Sequence, residues 1–400
     1  MKLSDYNEFN GRHWETGSVR NFWAYRGVKA PHTGAPFSEA FLLGVSGGIV
    51  MGYFPFAYEG YDPEVHILTR NTFDPLDTML SRLGVVQHIQ QTASAEKGLR
   101  NLQEALSEGT PVIVWADLFS LPYNVLPRDD GMWGMFPLLV YGYDEAADTV
   151  WIADRAQVPL TISTAELAAA RARVKKTKFR LVTLAPPQPE KLKTAVQAGL
   201  WDTIKLFTEK PPKGSRHNFG FAAYQHWAEM LVKPTGRGSW AAEYASGRAL
   251  YAVLTSAFTD IALFGKADWA DRDLYADFLL EAAALFGKPA LADIAPQFRA
   301  SALAWAELGR ALLPDDAPLL GETRELLQRR HDGFRTQGSA ALAEIEVING
   351  RLAAIKQTVT REFPLSPAET AVLRQNIRTH VLIIHDIEKE AITTLQAVLA

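Results

Sequence analysis

The residues of this chain that could do chemistry begin with His13 and Glu15, which flank a tryptophan at position 14. Histidine titrates close to neutral pH, so His13 is a candidate general base, with Glu15 as a candidate acid–base group beside it. Both residues also have structural explanations. His13 can hydrogen-bond a backbone carbonyl where a helix begins, and Glu15 can favour the helix dipole while Thr16 caps the first turn. Catalytic and structural roles both stay open for this pair.

The composition limits the chemistry further. The 400 residues include no cysteine, which excludes disulfides, thiolate metal sites and every cysteine-based mechanism. With 48% hydrophobic residues the chain can form a sizeable core and two domains. A net charge of −4 gives no overall attraction to nucleic acid or to an anionic membrane. The N-terminus lacks a signal-peptide pattern and no apolar run is long enough to span a bilayer, so we expect a soluble cytoplasmic protein.

No motif predicts a cofactor or a metal. The glycines between Gly44 and Gly52 lack the strand–helix context and the lysine of a phosphate loop, so we expect them to allow close backbone approach beside the helix at Trp14. Two helical patterns place a histidine and a glutamate one turn apart, His226 with Glu229 and His385 with Glu388. Their order is the reverse of the Glu-x-x-His motif of di-iron bundles, so we interpret them as solvated ion pairs and expect no metal site.

The periodicity of the chain changes near residue 187. Before it, helical patterns at 95–107 and 165–174 lie among short runs rich in β-branched residues. These strand-like runs are 65–68, 112–116, 137–143, 150–153 and 179–183. The polar residues 144–148 predict a hairpin turn that places Asp154 at the end of its second strand. We predict an α+β half in which a helix at 14–26 packs against a central antiparallel sheet.

The chain after residue 187 is predicted to be helical. The proline-rich run 185–189 interrupts helix formation and marks a boundary between domains 1–187 and 188–400. Apolar residues then recur at a spacing of three to four over 342–359 and 373–398. Ser366 or the following proline suits the start of the last helix. This pattern predicts an all-α C-terminal domain built as a helical bundle.

Five motifs in the first 187 residues occur together in the order and spacing of one known family. They are His13 to Asn21, the glycine-rich Phe41 to Tyr53, Asp117 with Leu121 to Tyr123, Val140 to Asp144, and Ile152 to Arg155. On these motifs the chain resembles the family of the butirosin biosynthesis protein H N-terminal domain, papain-like acyltransferases that move an aminoacyl group from a carrier-protein thioester to an amine. The rest resembles the helical domain of unknown function that often follows, most clearly at 271–283.

The resemblance implies a papain-like site that has lost two of its three catalytic positions. The nucleophilic cysteine would begin the first helix, where the dipole favours a thiolate, but Trp14 stands there. The base histidine would open the central strand, but Met135 and Phe136 stand there. Asp154 remains as the residue that would orient the histidine, or it is a strand-end residue paired with Arg155. The replacements predict a pocket refilled with apolar side chains, either as core or as a site for an apolar ligand.

The candidate site and its function follow from these residues. The catalytic candidates are His13, Glu15 and Asp154, and the substrate-binding candidates are Trp14, Asp117, Tyr123, Trp133, Phe136 and Tyr141. Three functions stay open: a pseudoenzyme that binds an acylated carrier protein or a small amine or peptide-like substrate, an enzyme with reassigned acid–base chemistry for acyl transfer or cyclisation, and a structural partner in a biosynthetic complex. We expect no nucleic-acid or membrane partner, and an oligomer is compatible with the sequence.

Overall fold

The computed structural model describes residues 1–125, 133–263 and 269–400. Within them, the strands are β1 Ile49–Phe56, β2 Glu64–Arg70, β3 Gln87–Gln90, β4 Val112–Asp117, β5 Met135–Asp144, β6 Thr149–Ala153, β7 Leu160–Ile162 and β8 Leu181–Leu184. The helices are α1 Trp14–Tyr25, α2 Glu39–Val45, α3 Pro75–Arg82, α4 Ala95–Ser107, α5 Thr164–Ala172, α6 Leu192–Thr208, α7 Gly220–Val232, α8 Trp240–Glu243, α9 Gly247–Ala262, α10 Arg272–Phe286, α11 Pro289–Ala292, α12 Ala295–Leu312, α13 Pro318–Gln337, α14 Leu342–Arg361 and α15 Pro367–Leu399.

One compact unit, here called the sheet unit, comprises Met1–Leu42, Leu76–Leu192 and Arg330–Val347. Its six strands form an antiparallel sheet in the order β3-β8-β4-β5-β6-β7. Helix α1 packs against β5 and β4, and α4 and α5 also contact the sheet. The predicted α+β fold with a central antiparallel sheet is confirmed.

The register of β5 places the predicted site residues. Met135 at its start pairs with Asp117 at the end of β4, and its other end forms a hairpin with β6. The hairpin turn at 145–148 and the short β6 leave Asp154 directly after that strand, as predicted. Strand β8 begins two residues later than predicted because Phe179 has a φ of 45°, in the left-handed region that a sheet ladder does not use.

A second compact unit, here called the helical unit, comprises Leu43–Pro75, Lys193–Arg329 and Ile348–Ala400. Its only strands in the described residues are β1 and β2, an antiparallel pair. Helix α15 packs against α7 and α12. It begins after Ser366, whose hydroxyl accepts the backbone N–H of Glu369 in a capping box. The helical character predicted for the C-terminal half is confirmed.

Strand β1 was not predicted, because its sequence belongs to the glycine-rich run. The close approach expected of these glycines does occur, but in the helical unit: a Cβ on Gly44 would lie 2.2 Å from the Phe278 ring, and one on Gly47 would lie 2.2 Å from the Asn71 amide. Within the described ranges no helix is long and apolar enough to cross a membrane. The boundary between sequence domains at residue 187 stays a prediction.

Candidate functional site

The start of helix α1 is held by a carboxylate from another helix. Glu39, at the start of α2, is 6% exposed and accepts the backbone N–H groups of Arg12 at 2.8 Å and His13 at 2.9 Å. Its Oε1 also accepts the hydroxyl of Thr16 at 2.7 Å. A negative charge beside a helix N-terminus is favourable, because the unpaired N–H groups there carry partial positive charge. The partial positive charge at the N-terminus of α1, which would stabilise a thiolate, is therefore already balanced by the carboxylate of Glu39.

Trp14, at the position where the resemblance would place a nucleophile, is buried at the start of α1. Its side chain is 4% exposed, and its ring stacks on Phe136 with centroids 4.1 Å apart and an interplanar angle of 22°. The guanidinium carbon of Arg155 lies 4.5 Å from the Trp14 ring centre. Trp14 and Phe136 thus contact one another directly, and neither side chain can form or stabilise a thiolate. The prediction of a pocket refilled with apolar side chains agrees with this contact.

His13 and Glu15 form a close pair at the same helix end. The His13 Nδ1 atom lies 2.8 Å from Glu15 Oε2, and the side chains are 12% and 19% exposed. The His13 ring also meets the edge of Trp14, with centroids 5.5 Å apart. A histidine beside a carboxylate can exchange a proton with a bound group. His13 and Glu15 thus form a histidine–carboxylate pair beside Trp14.

Asp154 is held by the residues that follow β4 and β6. Its Oδ2 accepts the hydroxyl of Tyr123 at 3.1 Å, and its Oδ1 lies 3.5 Å from Arg155 Nε. The Asp154 side chain is only 2% exposed. Burial and the Asp154 carboxylate raise the pKa of Tyr123 well above its usual value, so Tyr123 stays protonated as a donor. Arg155 donates its Nη2 to Asn124 Oδ1 at 2.6 Å.

The carboxylate and the guanidinium keep unused hydrogen-bonding capacity. Asp154 Oδ1 and Arg155 Nε are both buried, and neither forms a hydrogen bond within the part of the chain that the structure describes. The distance of 3.5 Å between them is an ion-pair contact longer than a good hydrogen bond. Buried polar atoms normally find a partner, so this pair departs from the usual pattern of a protein interior.

The end of helix α13 completes the cluster in the sheet unit. Phe334 is 8% exposed; its ring lies 5.1 Å from the Arg155 guanidinium carbon and 6.1 Å, centroid to centroid, from Tyr123. The backbone N–H of Gln157 donates to the carbonyl of Arg335 at 2.7 Å. We call Trp14, Tyr123, Phe136, Asp154, Arg155 and Phe334 the Trp14 cluster. Phe334 was missed from the sequence because a helical apolar stripe does not reveal what it packs against.

His331 lies one turn before Phe334 and was missed for the same reason. Burial lowers its pKa to about 4; the positive charges of Arg335 and Arg155 act in the same direction, while Asp332 opposes them. His331 is therefore neutral at physiological pH, with one ring nitrogen that can accept a hydrogen bond. No signal in the sequence distinguished this histidine from an ordinary helical surface residue.

Three predicted binding residues have other surroundings. Asp117 is fully buried, where it accepts the Gly134 N–H at 2.9 Å and the Ser120 hydroxyl at 2.7 Å and lies 3.1 Å from Arg173. Tyr141 is 1% exposed and stacks on Tyr6 at 4.2 Å. Trp133, in contrast, is 60% exposed. Binding roles for these three residues stay predictions that the Trp14 cluster does not support by contact.

The interpretation of His385 and Glu388 as a solvated ion pair is wrong. Glu388 has no exposed surface, and its Oε1 accepts the Arg272 Nε–H at 2.7 Å in the helical unit. His385 Nδ1 instead lies 2.8 Å from Asp386. The error has a physical source, since Glu388 follows Ile384 by four residues and so falls within the apolar stripe of α15.

Comparison with known families agrees with the resemblance drawn from the motifs. The family model of butirosin biosynthesis protein H, N-terminal, matches residues 13–155. A model described as a domain of unknown function (DUF4872) matches residues 165–317. No curated protein matches the chain. The protein therefore carries an N-terminal domain of the butirosin biosynthesis protein H family followed by that domain of unknown function, in a chain without cysteine.

Proposed function

We propose that this biosynthetic, acyltransferase-like protein binds an acyl or peptide-like group without forming a covalent acyl-enzyme. The observation that carries the proposal is the buried contact between Trp14 and Phe136, at the positions where the family arrangement would have its nucleophile and its base. An indole and a phenyl ring in contact leave neither a nucleophile nor a base for covalent catalysis. The site supports recognition better than it supports chemistry.

The pair of Asp154 and Arg155 indicates what kind of group would bind. A secondary amide presents both an N–H donor, which Asp154 Oδ1 can accept, and a carbonyl acceptor for a guanidinium N–H. A bound amide would thus supply the hydrogen bonds that these buried atoms lack. The resemblance to carrier-dependent transferases suggests that a carrier protein presents the acyl group. A free small amine or peptide is the simpler alternative substrate.

The direct test uses a carrier protein loaded with an aminoacyl thioester. We expect the full-length protein to bind the loaded carrier more tightly than the unloaded one, and intact-mass spectrometry to find no acyl adduct. Asp154→Asn and Arg155→Gln should each reduce the preference for the loaded carrier about tenfold, as the loss of one hydrogen bond predicts. The matched control is Asp144→Asn, at the partly exposed far end of β5. Equal binding of loaded and unloaded carrier, or a stable acyl adduct, would refute the proposal.

Restoring the lost groups tests the same assignment from the opposite direction. Trp14→Cys alone should not produce acyl transfer, because Met135 and Phe136 supply no base to form the thiolate. Trp14→Cys combined with histidine at position 135 or 136 is the variant expected to form an acyl adduct. Vigorous thioester turnover by the single variant would show that the base lies elsewhere.

One observation favours a second candidate function, acid–base catalysis on an acyl or cyclising substrate. His13 and Glu15 lie 2.8 Å apart beside Trp14, and both keep some exposure to solvent. Under this alternative His13→Asn would abolish product formation without changing stability, whereas the binding proposal expects no product in either protein. Product analysis by mass spectrometry after incubation with loaded carrier and amine separates the two.

A further inference from the structure

The sheet unit contains a strongly basic run in a chain that is acidic overall. Six of the ten residues from 171 to 180 are cationic, whereas the whole protein has a net charge of −4. No aspartate or glutamate occurs anywhere from 167 to 189. We call residues 171–180 the basic segment. The lysines Lys175, Lys176 and Lys178 are exposed. They therefore concentrate positive charge at one place on the surface.

The basic segment has a fixed conformation. Phe179 near its end is 7% exposed and holds a φ of 45°, which costs free energy for a residue with a Cβ. Arg171 supports this turn: its Nη2 donates to the Phe179 carbonyl at 3.0 Å and its Nη1 to the Gly98 carbonyl at 3.4 Å. A Cβ on Gly98 would come within 2.5 Å of Phe179 Cβ, so helix α4 fits closely against the turn. The exposed lysines thus project from an anchored loop.

The segment is connected to the Trp14 cluster through protein contacts. Arg173 lies 3.1 Å from Asp117, and Asp117 accepts the N–H of Gly134, two residues before Phe136. Phe136 is the ring on which Trp14 stacks. Arg180 lies over Trp115, which shares a strand with Asp117, with the guanidinium carbon 4.7 Å from the ring centre. The basic segment is therefore joined by a series of direct contacts to the proposed site of acyl binding.

We infer that the basic segment is the docking surface for a small protein domain with an acidic face. The patch is local: three exposed lysines on one loop match a few carboxylates of a compact partner. A nucleic acid or a membrane extends well beyond the screening length of about 10 Å and would also meet other parts of a protein whose net charge is −4. Identifying this domain as the carrier protein rests on the function proposed above. The charge match itself does not depend on it.

The experiment compares charge-reversal variants of the full-length protein. The test variant is Lys175→Glu/Lys176→Glu/Lys178→Glu, and the matched control is Lys191→Glu/Lys210→Glu/Lys213→Glu, which reverses three exposed lysines elsewhere. The probes are an unloaded acyl carrier protein, the same carrier with its acyl arm, a short poly-L-glutamate peptide and a single-stranded oligonucleotide of equal charge. Binding is measured by calorimetry at low and at physiological ionic strength. Thermal unfolding, together with a triple Lys→Gln variant, separates lost binding from lost folding.

The expected result is salt-sensitive binding of the carrier and of poly-L-glutamate. The test variant should weaken both about 30-fold or more at low ionic strength, and the control less than about threefold. Unchanged carrier binding in the test variant would overturn the inference, and so would a preference for the oligonucleotide over poly-L-glutamate. If reversal weakens the carrier equally with and without its acyl arm and the arm adds no affinity, the docking surface stands and the proposed function fails. Arm-dependent binding that ignores the reversal would instead support the proposed function and exclude the docking surface.

Discussion

In each compact unit an arginine that lies over an indole ring also pairs with a buried carboxylate. In the sheet unit the Arg155 guanidinium carbon is 4.5 Å from the Trp14 ring centre, and in the helical unit that of Arg272 is 5.3 Å from Trp305. Each nitrogen of the Arg272 guanidinium donates a hydrogen bond. Arg155 donates to Asn124, but its buried Nε has no such partner among the described residues. Both clusters thus contain an arginine, a tryptophan and a buried carboxylate. They differ in whether every nitrogen of the guanidinium donates a hydrogen bond.

Saturation in the helical unit extends to the carboxylate. Burial alone would raise the pKa of Glu388, but the Arg272 charge and the surrounding donors outweigh burial and lower it. The groups that donate to Glu388 are Arg272, Tyr224, Ser301 and Trp305. Arg272 also donates to the backbone carbonyls of Thr69, Ala270 and Val50. Every polar side-chain atom of Arg272 and Glu388 thus has a partner, whereas the Asp154–Arg155 pair has two buried atoms without a hydrogen bond among the described residues. We propose that the first network stabilises the fold and that the second pair takes part in binding.

The largest effect should follow from breaking the saturated network. Glu388→Gln removes the charge that balances a fully buried Arg272, and we expect it to lower the free energy of unfolding by about 3–5 kcal/mol. Chemical denaturation measures the change. Glu390→Gln, two residues further on the exposed face of α15, is the control and should change stability by less than about 0.5 kcal/mol. If Glu388→Gln lowers the free energy of unfolding by less than about 1 kcal/mol, the polar atoms around Arg272 do not form a fully hydrogen-bonded network.

The next largest effect tests whether Trp14 belongs to the core. Trp14→Ala should lower the free energy of unfolding by about 3 kcal/mol. The removed indole leaves a cavity beside Phe136, and strand β5, which carries Phe136, cannot move far enough to close it completely. Trp133→Ala is the matched control: its ring is 60% exposed, and its loss should cost little. Similar unfolding midpoints for the two variants would assign Trp14 to a ligand-lining role instead.

The sequence predicted the parts of these clusters that depend on local pattern. The short runs rich in β-branched residues located β5 and β6, and the polar turn at 145–148 placed Asp154 at a strand end. The family resemblance led to the prediction that Trp14 and Phe136 belong to one apolar pocket, and their rings stack. Each of these predictions rests either on residues that are close in sequence or on motifs whose order and spacing match those of a known family.

Partners far apart in sequence were not predicted. Phe334 follows Arg155 by 179 residues, and the spacing of apolar residues on α13 gives a buried face without identifying its neighbour. Glu39 could not be recognised as the acceptor for the start of α1 for the same reason. Glu388 was different: its place in the apolar stripe of α15 was a usable signal, because a carboxylate there requires a buried cation.

A smaller effect is expected from the pH dependence of the sheet unit. The folded pKa of His331 is about 4, below the ordinary value of 6.5, so the unfolded chain takes up a proton first as the pH falls. The stabilisation is complete above about pH 6.5 and is lost progressively towards about pH 4. When the pH is lowered from about 7 to about 5, the free energy of unfolding of His331→Gln should fall by about 1–2 kcal/mol less than that of the unmodified protein.

Denaturation at the two pH values measures this difference. His88→Gln, an exposed histidine of the same unit, is the control and should follow the unmodified protein. If His331→Gln shows the full acid-dependent loss, His331 is not buried among the arginines of the sheet unit.

The smallest effect on stability should come from Asp154→Asn, the isosteric counterpart of Glu388→Gln. The asparagine Oδ1 can still accept the Tyr123 hydroxyl, and the Arg155 contact that loses its charge is 3.5 Å long, so we expect a change below about 1 kcal/mol. Glu388→Gln should lower the free energy of unfolding severalfold more than Asp154→Asn does. That result would support a fully hydrogen-bonded structural network in the helical unit and polar atoms that can still bind a ligand in the sheet unit. A loss at Asp154 equal to that at Glu388 would instead show that this pair is also a closed structural network. If the unmodified protein has a measurable catalytic rate and Asp154→Asn loses that rate while keeping full stability, reassigned acid–base chemistry replaces the binding proposal.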